Sequence, residues 1–220
     1  MTNLPSDRFQ ILPFYIVCDT STSMKGEPIR VVNDELPQIH KTIATDPLIN
    51  DKCRLSVLSF NTTTQVDLRL QRLTEVKEMP KLLAGGRTNY GVFFRKFREI
   101  IKNDLAQIRN KGNAPLRPVV FFISDGGATD SWIKIFEEFS DRKLNPEAPV
   151  LVSFGVGKAK EPSIIKIGIN RAMMAKNVES VPAALREVIK SLTNSIVNSS
   201  REFTPKIILP EPDSILKILR

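Results

Sequence analysis

The sequence predicts an α/β protein built on a doubly wound, mostly parallel sheet with one antiparallel edge strand and helices on both faces. Unbroken apolar runs at residues 14–18 and 119–123, and a largely apolar run at 150–154, read as strands buried on both sides. Between them, apolar residues recur every three or four positions, the stripe of amphipathic helices. The runs end on Asp19, Ser124-Asp125 and Gly155-Val156-Gly157, so polar and glycine-rich loops follow the strands, where doubly wound sheets bind their ligands.

The elements follow in order. After the first strand, Gly26-Glu27-Pro28 opens a helix whose stripe is Ile29, Val32, Leu36, Ile39 and Ile43, with Pro37 expected to bend it or start a second one. Residues 54–60 form a second strand. Val66, Leu68 and Leu70 alternate with polar neighbours across 65–70, as in a half-exposed strand returning antiparallel at the edge. A Gly85-Gly86 turn leads to a helix over about 90–109, with inner face Phe93, Phe97, Ile100, Ile101 and Ile108. After the strand at 118–124, Asp130 is expected to cap a helix carrying Trp132, Ile133, Phe136 and Phe139. Trp132 is expected to pack that helix onto the sheet. Beyond the strand at 150–154 come a short helix near 162–168, a strand near 171–175, and a last helix from about Ser180 bearing Leu185, Val188, Ile189, Leu192 and Ile196. This divides the chain into an arm (1–12), a domain (13–200) and a tail (201–220). Pro205, Pro210 and Pro212 interrupt the tail, and its apolar residues are expected to pack back over the domain, with capture by a partner as the alternative.

Composition narrows the function classes. With 220 residues, 41% of them hydrophobic, the chain can bury a full core. No apolar run approaches the ~20 residues needed to cross a bilayer, and the first residues lack the order of a signal peptide. The expectation is a cytoplasmic protein with no membrane partner. Cys18 and Cys53 lie in apolar runs and read as buried thiols. His40 is the single histidine, so histidine-pair chemistry is excluded, and it is expected to be exposed near a helix end. Gly155-Val156-Gly157-Lys158 lacks the full spacing of a phosphate loop and reads as a tight turn.

Three strand-end loops carry oxygen donors: Asp19-Thr20-Ser21-Thr22-Ser23, Gly86-Arg87-Thr88-Asn89 and Ser124-Asp125-Gly126. Two carboxylates and three hydroxyls, without sulfur or imidazole, suit a hard cation that keeps some of its water, above all Mg²⁺, with Mn²⁺ or Ca²⁺ as substitutes. Ser21 and Ser23 alternate along a turn, so both can face one ion while Thr22 points away.

Taken together, the Asp-x-Ser-x-Ser run, the isolated Thr after a glycine turn and the Asp-Gly pair resemble the metal-ion-dependent adhesion site of von Willebrand factor A (vWA) domains. The resemblance spans residues 13–200. It implies that Ser21 and Ser23 ligate the ion directly, that Thr88, Asp19 and Asp125 do so directly or through water, and that an Asp or Glu of a protein partner fills the last position without turnover. More narrowly, residues 19–29 and 124–132 are similar to the tellurium-resistance TerY-like branch, cytosolic bacterial proteins often encoded near a protein kinase and a protein phosphatase in stress and phage-response loci. Members commonly carry Gly where this chain has Thr22, a position that is not a ligand.

Net charge is +8, and residues 69–117 hold twelve basic against four acidic side chains. Arg95, Arg98, Lys102 and Arg109 form a stripe along the 90–109 helix, expected to be a solvated face or a docking surface for an acidic protein. Two rival readings remain. One is nucleic-acid binding through that helix, weakened by the lack of interleaved aromatics. The other is a metal-dependent, haloacid-dehalogenase-like phosphatase using Asp19, which lacks the second acid because Ser21 stands two residues on.

Overall fold

The computed structural model describes residues 9–175, 181–201, 208–209 and 216–220. The element order is β1 (Gln10–Asp19), α1 (Glu27–Ala44), α2 (Pro47–Lys52), β2 (Cys53–Phe60), β3 (Thr64–Gln71), α3 (Tyr90–Asn110), β4 (Ala114–Pro115), β5 (Val119–Ser124), α4 (Ile133–Ser140), β6 (Val150–Gly155), α5 (Glu161–Ile167), β7 (Arg171–Ala175), α6 (Val181–Arg201) and β8 (Leu216–Ile218). Short 3-10 turns occupy Thr22–Met24 and Leu73–Glu75.

The sheet runs β3-β2-β1-β5-β6-β7-β8, with the stub β4 beside the start of β1. Strands β2, β1, β5, β6 and β7 pair in parallel, while β3 and β8 are antiparallel at the two edges. The sequence pointed to one antiparallel edge; β8, only three residues long, supplies the second. Alternation along each strand sorts the core into two layers. Phe14, Ile16 and Cys18 face α1 and α6, whereas Tyr15 and Val17 face α3 and α4. Cys18 and Cys53 are buried free thiols. Among the described residues no helix is long and apolar enough to cross a membrane.

Three local expectations are corrected. First, α1 runs through Pro37 as a single helix. Proline costs a helix interior about 3 kcal/mol, but Val32, Leu36, Ile39 and Ile43 are all buried on one stripe, and each contributes about 1.5–3 kcal/mol. Second, Asp130 does not cap α4, which begins after Trp132 with no side-chain cap. Third, His40 is half-buried, its Nε2 lying 2.9 Å from the Leu73 carbonyl oxygen. In the tail, Leu216–Ile218 pair with β7 and Leu216 is buried. Residues 1–8 of the arm, Ser180, and Pro205, Ile207, Pro210, Pro212 and Ile215 of the tail lie outside the described residues.

The α3/α4 layer is aromatic. Phe94 contacts the rings of Tyr90, Phe93, Phe122, Trp132, Phe136 and Phe139. The rings that Trp132 itself meets, Tyr90, Phe94 and Phe136, belong to α3 and α4, so it joins the two helices to each other. Phe94→Ala is expected to cost about 3–5 kcal/mol in urea unfolding followed by circular dichroism. Replacing the partly exposed Val92 on the same helix by Ala should change stability by no more than about 0.5 kcal/mol.

Candidate metal centre

Parallel pairing of β1 with β5, with Cys18 opposite Ile123, makes both strands release their loops side by side at one end of the sheet. Ser124 Oγ donates to Asp19 Oδ2 at 2.6 Å, and the Ser21 amide donates to Asp19 Oδ1 at 2.8 Å. The Ser21 and Ser23 hydroxyl oxygens are 3.0 Å apart, and Ser23 Oγ donates to Asp125 Oδ1 at 2.8 Å. Thr22 turns away, its hydroxyl donating to the Gly86 carbonyl at 2.9 Å. Thr88 closes the group: a Cβ placed on Gly126 would lie 3.5 Å from Thr88 Oγ1 and 4.0 Å from Ser23 Oγ. Asp19, Ser21, Thr88 and Asp125 are buried and Ser23 is exposed, so the cluster opens to solvent past Ser23.

Backbone contacts hold the three loops in place. The Gly85 amide donates to the Thr20 carbonyl at 2.7 Å and the Thr22 amide to Gly86 at 3.1 Å. Gly86 sits at φ +80°, where a Cβ would come within 2.6 Å of Thr62 Oγ1, so both conformation and space demand glycine. On the other side, the Thr129 amide donates to the Thr88 carbonyl at 2.8 Å. Asp130 Oδ2 accepts from the Gly91 and Val92 amides at 2.9 and 3.2 Å. Asp130 therefore caps α3, not the helix it precedes, and ties the Thr88 loop to the Asp125 loop. No local signal marks that pairing, because the partners are 38 and 39 residues apart in the chain. Two further supports have no role assigned to them by the sequence. Ser124 bridges Asp19 and the Gly126 amide, and the Tyr90 hydroxyl lies 2.8 Å from Ser124 Oγ and 3.2 Å from the Gly126 carbonyl oxygen. Ser124 could have been found from strand adjacency, since it precedes Asp125 and falls beside Asp19.

The electrostatics are those of a site short of positive charge. Burial raises the Asp19 pKa, opposed by the hydrogen bonds from Ser124 and Ser21. Asp125 is pushed up to about 6, first by burial and second by the charge of Asp19. No ion pair to either carboxylate occurs among the described residues. The described residues also hold no group of three or more His, Cys, Asp or Glu side chains able to bind a metal. The donor set here is instead two carboxylates and three hydroxyls, which fits a hard dication retaining water.

No family model matches the chain, and no curated protein does. Solved structures do match. A von Willebrand factor type A protein from Catenulispora acidiphila superposes with a TM-score of 0.61 at 14% identity, covering 85% of this chain and 42% of that one. The fold is vWA-like. The proximal thread matrix protein 1 of the mussel byssus, described with a zinc-occupied MIDAS motif, aligns at TM-score 0.58 and 16% identity over 87% of this chain and 49% of its own. The ArnB paralog VWA2 from Sulfolobus acidocaldarius aligns at TM-score 0.52 and 17% identity over 82% and 44%. The chain thus spans less than half the length of each of these proteins.

Within the vWA-like fold the basic stripe lies apart from the oxygen cluster, along the outer side of α3. Arg98 donates to the Leu144 carbonyl at 2.6 Å and Arg109 pairs with Glu147 at 2.9 Å, so both anchor the segment after α4. Arg95 and Lys102 are exposed. Gly157 sits at φ +56° in the turn after β6.

In metal-free protein, folded Asp125 holds its proton to about pH 6 while the ordinary value is 3.8. The folded state then binds more protons than the unfolded chain in that window, so stability falls as pH rises through it. Urea titrations between pH 4 and 7 are expected to show this decline, reduced in Asp125→Asn.

Proposed function

We propose that the chain is a non-enzymatic, divalent-metal-dependent protein-binding module. Asp19, Ser21, Ser23, Thr88 and Asp125 hold Mg²⁺, or Mn²⁺ or Ca²⁺ in its place, directly or through water. A protein partner supplies an Asp or Glu carboxylate to the open side. The observation that carries this reading is the convergence of two buried carboxylates, with no ion-pair partner among the described residues, on three hydroxyls beside an opening at Ser23. A bound dication offsets both negative charges and, with no surplus of anionic ligands, keeps affinity for one more oxygen. The zinc-occupied motif named for the mussel protein supports a dication in this fold.

The module comprises residues 13–200; of the flanking arm (1–12) and tail (201–220), Gln10–Leu12 and Leu216–Ile218 join its sheet as parts of β1 and β8. On the strength of the TerY-like motifs, we place it in the cytoplasm as a scaffold in a bacterial kinase- or phosphatase-linked stress, tellurite-resistance or phage-defence system. The exposed Arg95 and Lys102 of the α3 stripe, together with Arg98 and Arg109, are a secondary contact for such a partner. The phosphatase reading is disfavoured by residue 21: that chemistry needs a second acid two residues after the nucleophilic Asp19, and Ser21 stands there.

Calorimetric titration of the metal-free chain with MgCl₂ or MnCl₂ is expected to show one site. Asp19→Ala and Ser21→Ala should weaken it by at least about tenfold while preserving the circular dichroism spectrum. Unchanged affinity in both variants would contradict the reading. Turnover of p-nitrophenyl phosphate that disappears in Asp19→Asn would replace it with the hydrolase.

A further inference from the structure

The face around the oxygen cluster carries more than the cluster. Lys25 follows the 3-10 turn that holds Ser23, and Arg87 immediately precedes Thr88. The loop after β6 brings two more cations. Gly157 lies so close to Asp125 that a Cβ there would be 3.7 Å from Asp125 Cβ, and Lys158 is the next residue. The Lys160 side chain runs along Gly127, where a Cβ would meet its Cδ and Cε at 2.8 Å. All four cations are exposed, and none forms an ion pair among the described residues.

Nearby acids are committed elsewhere. Glu27 faces Arg30 at 4.0 Å, Glu161 pairs with Lys217 at 3.1 Å, and Asp130 accepts from two amides of α3. The described rim is therefore positive before any metal binds, and a dication that balances Asp19 and Asp125 leaves that excess intact. Exposed apolar side chains lie in the segments that flank these loops. Leu83, just before the Gly85-Gly86 turn, is 83% exposed, and Val92 and Ile133 are exposed in the first turns of α3 and α4. Cations mixed with exposed aliphatic side chains suit a polypeptide more than a nucleic acid, which would call for stacking aromatics.

Building on the proposed metal-dependent reading, we infer that Lys25, Arg87, Lys158 and Lys160 form a second recognition element that selects an acidic polypeptide segment, in which the metal-seeking carboxylate is flanked by further Asp or Glu. One carboxylate reaches the cluster past Ser23. Its neighbours meet the four cations, and aliphatic residues of the segment cover Leu83. The selecting surface is thus this rim, with the α3 stripe outside it.

The test is selection of random twelve-residue peptides displayed on phage against the full chain in MgCl₂, followed by fluorescence polarisation with the enriched peptides. Enriched sequences are expected to hold at least three acids close together. Their affinity should drop about tenfold in Lys158→Glu/Lys160→Glu and several-fold in Arg87→Glu, and fall as NaCl rises from 50 to 300 mM. Circular dichroism melts establish that the variants fold, and Arg87→Glu carries the test should the double variant not. Mg²⁺-dependent peptides with a single acid, indifferent to both variants, would overturn the rim and leave the metal reading standing. Acid-rich peptides that respond to the variants but not to EDTA would do the reverse. No enriched peptide, or tighter charge-dependent binding of a 20-nucleotide single-stranded DNA, would overturn the inference.

Discussion

Asp19 ends β1 and Asp125 directly follows its parallel neighbour β5; both are almost fully withdrawn from solvent and have no basic side chain paired with them in the described structure. Placing two like charges together in a poorly solvated spot is costly, and the rise of Asp125 to about 6 expresses that cost. Hydrogen bonds from Ser124, Ser21 and Ser23 hold the carboxylates in orientation without cancelling their charge. The strain that remains is what a small dication would relieve. The surrounding construction serves to keep this arrangement from relaxing.

Two features resist relaxation. The sheet order sets β1 against β5, so the carboxylates cannot separate without breaking the central parallel pairing. Beneath the loops, the aromatic layer built on Phe60, Tyr90, Phe94 and Phe122 fixes the start of α3, and Tyr90 carries that rigidity directly to Ser124 and Gly126. Asp130 and Thr129 complete the closure by joining the second and third loops through their backbone. The cluster is therefore organised by protein contacts alone, which lowers the ordering cost of taking up an ion.

Much of this could be read from sequence, and the parts that could not share a cause. The central strands announce themselves as apolar runs because both faces are covered, and the oxygen donors stand out because they follow those runs immediately. The stub β4 and the three-residue β8 have no periodicity to detect; they exist because a neighbouring strand offers hydrogen bonds. At Pro37 the apolar stripe is visible in sequence, but only the packing of α1 shows that burial of Val32, Leu36, Ile39 and Ile43 outweighs the local backbone cost. At Asp130 the sequence offers a plausible partner in the helix that follows, while the actual one is distant in the chain. The basic residues divide along similar lines. A helical stripe is visible in sequence, yet Arg98 and Arg109 are drawn into internal contacts, whereas the cations around the oxygen cluster come from three separate loops and become a group only in the folded chain.

Anomalous diffraction from crystals of the full chain grown with MnCl₂ addresses the centre most directly. One manganese peak is expected among the side-chain oxygens of Asp19, Ser21, Ser23, Thr88 and Asp125, within about 2.5 Å of the Ser21 and Ser23 hydroxyls, with the open position facing solvent or a carboxylate from another molecule. A fully occupied manganese elsewhere, with Ser23 still hydrogen-bonded to Asp125 and nothing between the carboxylates, would contradict the account.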